Sequence, residues 1–289
     1  MELKLTKKDK RIEKIIETLK LGGKSEKTIK NYVCAINRFL AYFPHRHIAK
    51  LTEDDIIEYL KHNYLIKGCS SHTYNMNLSA IKYFYAVNFN KVFNNKLLPS
   101  AKLAKMLPLT LDKSIFIKIL NEEKILEHQC WLLLAYYSGL RVEEVSRVKI
   151  TDIHSKEHTL KVLGKRNKER LTFLPDITIK CLRLYYKNYY MKKYNDNRGY
   201  LFKGQRGAEH INCKSITNYF SRINMKYNLD KNLTFHSLRH SFATNFIKAG
   251  GDPFVLKSML SHSSMSTTAI YVHTGRDFNN LQGVKYGRV

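Results

Sequence analysis

The side chains best suited to chemistry lie in the C-terminal part of the chain, within residues 236–271. His236 and Arg239 are three positions apart, so in a helix they share one face, one turn apart. His262 and Tyr271 flank a serine- and threonine-rich stretch. A guanidinium neutralises two phosphate oxygens at once, an imidazole donates hydrogen bonds or moves protons near neutral pH, and a phenol oxygen can become a covalent nucleophile. Together these side chains could attack a phosphodiester without a metal ion.

The charge of the chain points to a polyanionic partner. Lysine and arginine number 50 against 24 acidic residues, which gives a formal net charge of +26 and a pI near 9.8. A folded, aromatic-rich chain with this excess favours nucleic acid over other partners. No stretch approaches the ~20 apolar residues of a membrane span, and residues 1–4 do not begin a signal peptide. We therefore expect a cytoplasmic, nucleoid-associated protein without membrane contact.

Residues 1–98 have the pattern of a compact all-helical domain. Apolar residues recur there at helical spacing in four runs, and Gly22-Gly23 and Pro44 act as stop signals between runs. Thr52 precedes a run of acidic residues and is placed to cap a helix start. No clear strand interrupts the helical spacing.

A proline-bracketed linker, residues 99–109, leads to a second domain, residues 110–289. In that domain the apolar run at residues 131–137 predicts a buried helix, and Gly139 is placed to end it. Arg141 follows directly. An arginine at such a position is often a surface or salt-bridged side chain, so spacing alone leaves its role open.

The period of the apolar pattern changes after the buried helices. Leu160 and Val162 alternate with polar residues, and so do Leu171 and Phe173. Alternation of this kind is typical of half-buried strands, and it predicts a small antiparallel sheet of about three strands. Lys165 falls on the turn between the second and third strands, where spacing alone favours a solvated lysine. The expected fold is mostly α, with a small antiparallel β-sheet in the C-terminal domain.

Basic residues at helix starts and in loops are candidate phosphate contacts, although for each of them a solvated side chain is the commoner explanation. In the first domain they are Lys24, Lys27, Lys30, Lys67, His72 and Lys82, and in the second they are Arg166, Lys203 and Arg206.

Several segments carry a resemblance to the tyrosine recombinases, the phage-integrase family. Their C-terminal signature has His-x-x-Arg-His, Leu-Gly-His and a tyrosine, and residues 236–273 are similar to it, HSLRHSFATNFIKAGGDPFVLKSMLSHSSMSTTAIYVH, with Ser261 in place of the glycine. The segment YYSGLRVEE resembles the first motif of the family. VLGKRNKERLTFLP resembles its hairpin Gly-Lys-Gly-x-Lys-x-Arg, with Arg166 in place of the second glycine. KTIKNYVCAINRFLAYF and HTYNMNLSAIKYFYAVN resemble helices of its SAM-like core-binding domain.

The resemblance implies a catalytic set and a domain organisation. The implied catalytic residues are Arg141, Lys165, His236, Arg239, His262 and the nucleophile Tyr271. Glu144 would support them by holding an arginine or the fold, and His240 would either support the fold or touch phosphate. The implied architecture is an all-α SAM-like domain (1–98), the linker and an α+β catalytic domain (110–289) that includes a tail (274–289).

The implied reaction is site-specific recombination of double-stranded DNA. In the family the tyrosine forms a 3′-phosphotyrosyl link, and strands are exchanged through a Holliday junction in a tetramer on two inverted-repeat core sites. The tail would dock in a neighbouring protomer. The link conserves bond energy, so we expect no cofactor, no ATP and no metal ion; no acidic cluster suggests Mg²⁺ ligation.

The biological role stays open at this stage. A Xer-like resolvase of chromosome dimers and an integrase of a mobile element both fit a chain with two domains, and a partner recombinase or accessory protein could be required. We expect no arm-type domain of the phage-lambda kind before residue 1. Relaxation of DNA by a type IB topoisomerase and non-enzymatic DNA binding are the alternatives from other classes.

Overall fold

The computed structural model describes residues 9–102, 107–164, 169–194 and 198–260. The chain divides into two compact units, Met1–Met106 and Leu107–Val289. Among the described residues the first unit is helical, and the second contains helices and a three-stranded sheet. The predicted fold class is confirmed.

In its described part, the first unit consists mainly of four α-helices: α1 (Lys10–Leu21), α2 (Glu26–Tyr42), α3 (Glu53–Lys61) and α4 (Ser71–Phe89). A side-chain oxygen caps the start of each helix, from Asp9, Ser25, Thr52 and Ser70 in turn. Inside the unit, Phe39 packs edge-on against Tyr59 and Tyr85. The buried Tyr85 hydroxyl donates a hydrogen bond to the Ile48 carbonyl at 2.8 Å, so this polar atom is satisfied within the core.

The described part of the second unit contains eight α-helices and three strands. The helices are α5 (Lys113–Glu122), α6 (Leu126–Ser138), α7 (Val142–Ser146), α8 (Asp176–Tyr185), α9 (Met191–Tyr194), α10 (Cys213–Lys226), α11 (Phe235–Lys248) and α12 (Pro253–Leu260). The strands are β1 (Ile153–His154), β2 (Thr159–Leu163) and β3 (Glu169–Phe173). A wide π turn, Tyr186–Tyr190, joins α8 to α9.

Helix α6 lies at the centre of the second unit. Every residue from 129 to 138 is buried, and the helix packs between α8 and α11. Phe116 of α5 stacks on Tyr136 with ring centroids 3.8 Å apart. The helix ends at Gly139, which has a φ of 68°, a left-handed conformation that glycine adopts without steric cost. The predicted buried helix and its glycine cap are confirmed.

The sheet has the predicted number of strands, but in β3 the apolar side chains are exposed and the polar side chains are buried. The strands pair antiparallel in the order β1-β2-β3, and Val162 lies opposite Arg170. Leu171 is 57% exposed and Phe173 is 49% exposed, whereas Arg170 and Thr172 are buried. The strand predicted from the alternation of Leu171 and Phe173 is present, but these two side chains lie on its exposed face. The inward positions are polar because they have partners inside the unit, such as the Ser138 carbonyl, which accepts from the Thr172 hydroxyl at 2.9 Å.

We expect Gly139→Ala to destabilise the second unit more than Gly207→Ala does. Both glycines have a positive φ, but an added Cβ at residue 139 would lie 2.5 Å from Phe242 and 2.9 Å from Leu260, while the space at residue 207 is open. The left-handed backbone costs an L-residue about 1–2 kcal/mol, and overpacking adds about 1–3 kcal/mol at residue 139 alone. Urea unfolding followed by fluorescence of Trp131, the chain's single tryptophan, measures both variants. Equal losses would contradict a steric role for Gly139.

Candidate active site

The site is built around the carboxylate of Glu144, on the first turn of α7. Arg141 is the residue before this short helix, directly after the turn that ends α6. The Glu144 carboxylate accepts from the Arg141 backbone N–H at 2.8 Å and from the Arg141 guanidinium at 2.8 Å. The same residue thus caps the helix and holds the arginine side chain in place.

Two further arginines bind the same carboxylate from other elements. Arg170 of β3 donates two hydrogen bonds to Glu144, at 2.9 Å and 2.8 Å. Arg239 of α11 lies 3.5 Å from the Glu144 Oε2 atom. The side chains of Glu144, Arg170 and Arg239 are at most 5% exposed, whereas the Arg141 side chain is 34% exposed. Three guanidiniums against one carboxylate leave a surplus of positive charge, which favours binding of an anion at the exposed arginine.

Glu144 is ionised in this setting. Its burial would raise the carboxyl pKa, but the hydrogen bonds from Arg170 and the charges of Arg170 and Arg239 outweigh burial and lower the pKa to about 2. The carboxylate is therefore fully charged at any pH near neutrality, and it can hold the three guanidiniums throughout that range.

Backbone carbonyls also hold the guanidiniums in place. Arg239 donates to the Gly139 carbonyl at 2.6 Å and to the Leu260 carbonyl at 2.5 Å. Arg141 also reaches the Leu260 carbonyl, at 3.5 Å. Leu260 is the last residue of the described part of α12. The ends of α6 and α12 therefore orient the two arginines, and the carboxylate orients them from α7.

Two histidines of α11 accompany Arg239. The rings of His236 and His240 meet edge to face, with centroids 4.7 Å apart. Loss of water contact and the charges of Arg239 and Arg141 lower the pKa of His236. Burial and the neighbouring His236 and Arg239 lower the pKa of His240 to about 4. Both rings are therefore neutral near pH 7, and a neutral imidazole can accept a proton.

The structure brings together only part of the predicted site. Arg141, Arg239 and Glu144 lie close enough to His236 for their charges to change its pKa, and His240 adjoins His236. Four predicted residues lie outside the described residues: Lys165, Arg166, His262 and Tyr271. Their predicted roles stay predictions.

Arg170 is the site residue that sequence reasoning missed. Leu171 and Phe173 gave β3 an apolar alternation, and this pattern concealed a polar alternation on the opposite face, Arg170 and Thr172. The family hairpin motif does contain an arginine that matches Arg170, but the motif carries no role for it. A buried arginine requires a carboxylate partner, and Glu144 lies 26 residues earlier in the chain.

The candidate phosphate contacts of the first unit divide into two groups. Most are exposed side chains: Lys24, Lys27, Lys30, Lys67 and His72. Lys82 differs, because its ammonium donates to the Asn95 side chain at 2.8 Å and to the Leu98 carbonyl at 2.9 Å. Lys82 thus holds the segment that follows α4, and we do not retain it as a phosphate contact.

The two candidate phosphate contacts in the basic loop of the second unit, Lys203 and Arg206, differ in exposure. Lys203 is half-buried and its ammonium lies 5.9 Å from the Tyr190 ring centroid, while Arg206 is exposed. Nowhere in the described ranges do three or more potential ligands come together as a metal site. In those same ranges, each helix is too short or too polar to cross a membrane.

Comparisons with known proteins give consistent matches. The family model "Phage integrase family" matches residues 111–276, and "Phage integrase, N-terminal SAM-like domain" matches residues 12–91. A tyrosine recombinase of Thermosipho africanus is 30% identical over 276 residues, which cover 90% of this chain and 93% of the relative. Tyrosine recombinase XerA of Pyrococcus horikoshii is 31% identical, with 90% and 87% covered. The fold is also that of XerH site-specific recombinase in a crystal structure with a palindromic difH substrate, at a TM-score of 0.73 and 21% identity over 91% of this chain and 80% of the other.

We expect Glu144→Gln to weaken folding and to reduce its dependence on acid pH. The folded-state pKa of Glu144 is about 2, below the ~4.3 of an unfolded glutamate. Its contribution, about 3 kcal/mol, is therefore fully present above the unfolded pKa and is lost as the pH falls towards 2. Urea unfolding at neutral and at acid pH tests this, with the exposed neighbour change Glu143→Gln as the control. An unchanged acid dependence in Glu144→Gln would show that the carboxylate is not held by its arginines.

We expect Lys82→Ala to change stability but not the salt dependence of DNA binding, and Lys27→Ala to do the reverse. Loss of the two Lys82 hydrogen bonds should lower the free energy of unfolding by about 1–2 kcal/mol and leave the salt dependence of DNA binding unchanged. Loss of the exposed Lys27, if it neutralises a phosphate, should leave stability unchanged and reduce the slope of log affinity against log salt by about 1. Fluorescence anisotropy with a mixed-sequence duplex measures the slope. A reduced slope for Lys82→Ala would restore Lys82 as a phosphate contact.

Proposed function

The chain belongs to the phage integrase family of tyrosine recombinases, and from this membership we propose a residue-level mechanism for its site-specific recombination of DNA. The observation that carries the proposal is the surplus of positive charge around Glu144. Arg141 and Arg239 neutralise the non-bridging oxygens of the scissile phosphate. Electrostatic stabilisation by fixed, preorganised donors is often the largest contribution to catalysis, and these two guanidiniums are fixed by one carboxylate and two helix ends.

Tyr271 is the proposed nucleophile. Its phenol oxygen attacks the scissile phosphorus, the bond from phosphorus to the 5′-oxygen breaks, and a 3′-phosphotyrosyl link and a free 5′-hydroxyl result. His236 takes the phenol proton or donates a hydrogen bond; its lowered pKa supports the role of a base, because the ring is neutral near pH 7. Lys165 supplies the proton to the leaving 5′-oxygen. His262 joins the two arginines in stabilising charge on the phosphate.

His240 supports the site from the second turn of α11. Its pKa of about 4 leaves the ring uncharged near pH 7, so we assign it to the packing of His236 rather than to a cationic contact with phosphate. Glu144 holds Arg141 and Arg239 without touching DNA. The phosphotyrosyl link retains the energy of the broken bond, and the reaction needs neither ATP nor a metal ion.

Recombination follows when the 5′-hydroxyl of a partner strand reverses the first step. We propose exchange through a Holliday junction in a homotetramer on two inverted-repeat sites at the nucleoid, with the tail (274–289) docked in a neighbouring protomer. The relative solved with a palindromic substrate supports an inverted-repeat site. Duplex DNA contacts come from Lys24, Lys27, Lys30, Lys67 and His72 in the first unit and from Arg166, Lys203 and Arg206 in the second.

We expect wild-type protein to become covalently attached to DNA and Tyr271→Phe not to, because the variant lacks the attacking oxygen. Each protein is mixed with sheared genomic DNA of the source organism, DNA that partitions with protein after SDS and phenol is recovered, and its ends are sequenced. Tyr200→Phe, which also removes one phenol oxygen, is the control and should behave as wild type. The trapped ends should share an inverted repeat attached through the 3′ end.

Other outcomes select other functions. Random ends that disappear in Tyr271→Phe would favour type IB topoisomerase activity over site-specific recombination. Absence of covalent product from the wild type, including on nicked duplexes that prevent religation, would favour a non-enzymatic DNA-binding protein and contradict the proposal.

A further inference from the structure

We infer that Arg170 is a positioning residue for strand cleavage, which fixes Arg141 and Arg239 through the Glu144 carboxylate. The inference rests on the proposed roles of those two arginines as the phosphate clamp. The Arg170 side chain is 5% exposed, and each of its three guanidinium nitrogens donates to a group inside the unit. Burial alone does not separate it from Arg239, which is 3% exposed; the forked contact with Glu144 does, and we assign its effect on cleavage to that contact.

The contacts of Arg170 join three elements of the second unit. Two of its nitrogens each donate to one oxygen of Glu144 on α7, at 2.9 Å and 2.8 Å. Its Nε atom donates to the Met259 carbonyl near the end of α12, at 2.5 Å. Arg170 itself belongs to β3. A planar guanidinium can make this forked contact and a third bond at once, whereas a lysine ammonium cannot reproduce the fork.

The fork determines where the carboxylate points. Without Arg170, the two bonds from Arg141 at 2.8 Å would be the strongest remaining holds on Glu144. The contact with Arg239 is already the longest, at 3.5 Å. The carboxylate would then turn towards Arg141, and Arg239 would lose its ionic partner first. The two guanidiniums would no longer keep the spacing that two oxygens of one phosphate require.

The position of Arg170 in β3 extends the argument to the leaving group. Pairing of Val162 with Arg170 and of Leu163 with Glu169 sets the register of the β2–β3 hairpin. Lys165, the proposed acid, belongs to the connection between these two strands. Arg170 therefore fixes the phosphate clamp, Arg141 and Arg239, relative to the strand pair whose connection contains Lys165. A misplacement of about 1 Å at a reacting centre can cost about 100-fold in rate.

The groups that face Glu144 also predict a change in the pH dependence of cleavage. Arg141, just before α7, adjoins the carboxylate; Arg170 faces it from β3, and Arg239 and His236 face it from α11, while α12 presents carbonyls. Arg170 makes the largest contribution to lowering the pKa of Glu144. Loss of its fork raises that pKa, so the carboxylate becomes protonated, and releases the clamp, at a higher pH than in the wild type.

The test uses the full chain with Arg170→Lys, which keeps the charge, and Arg170→Met, which removes it. Arg183→Gln is the control, because Arg183 is exposed on α8 and bonds only the Ser155 hydroxyl among the contacts described. The probe is a nicked duplex with the sequence recovered through Tyr271-dependent trapping. Gel shift gives the non-covalent Kd, and single-turnover formation of the covalent product gives the cleavage rate from about pH 5.5 to about pH 8.5.

For a positioning role, Kd changes by less than about 2-fold, and the cleavage rate falls by at least about 10-fold in Arg170→Lys and about 100-fold in Arg170→Met. The loss of rate is largest at the acid end of the range, where the Glu144 carboxyl of the variants is protonated first. Arg183→Gln matches the wild type in every measurement.

Three results separate the failures. If the wild type forms no covalent product, the proposed function is contradicted, and the inference about Arg170, which rests on it, is overturned with it. If Arg170→Met does not show the Trp131 unfolding transition, Arg170→Lys decides. A folded Arg170→Lys whose rate and pH profile match those of the wild type overturns the inference. So does a loss of rate that only follows the folded fraction, with an unchanged profile, because that result indicates a structural role alone.

Discussion

One buried carboxylate, Glu144, sets the geometry of the catalytic unit. Without Glu144, the guanidiniums of Arg170 and Arg239 would be uncompensated charges in a protein interior, which is among the costliest arrangements that a fold can contain. With it, strand β3 and helices α7 and α11 meet at a single point. The surplus charge that remains is a property of the folded protein before any DNA arrives. The electrostatic field that a phosphate would meet is therefore built during folding.

Helix ends, more than helix faces, orient the side chains of this site. Helix α6 ends in the left-handed turn at Gly139, whose carbonyl accepts from Arg239, and α7 begins immediately after Arg141. The final carbonyls of α12 bind three arginines. Through these carbonyls, α12 positions side chains from elsewhere in the chain. Burial of α6 on all sides keeps these ends in fixed relative positions.

Much of this arrangement could be predicted from the sequence. Local chemistry marked the cap at Thr52, the buried helix α6 and its glycine end, and the spacing of His236 and Arg239 placed them on one helix. Which face of β3 is buried could not be predicted in the same way, because the apolar side chains alternate on one face while the buried face is polar. The role of Lys82 was also beyond local reasoning. Its partners, Asn95 and Leu98, become neighbours only when the segment after α4 folds back.

Because the buried face of β3 is polar, the pairing register of the β2–β3 hairpin is under a constraint that the length of its connection does not share. Side chains alternate between faces of a strand, so a shift of one residue in the pairing would present Leu171 to Glu144 and turn Arg170 out to solvent. The pairing of β2 with β3 therefore tolerates no change of register. Residues 166–168 are not constrained by this pairing, since insertions after Lys165 leave the pairing of Val162 with Arg170 intact. The length and chemistry of the segment between Lys165 and β3 can therefore change while the phosphate clamp keeps one geometry.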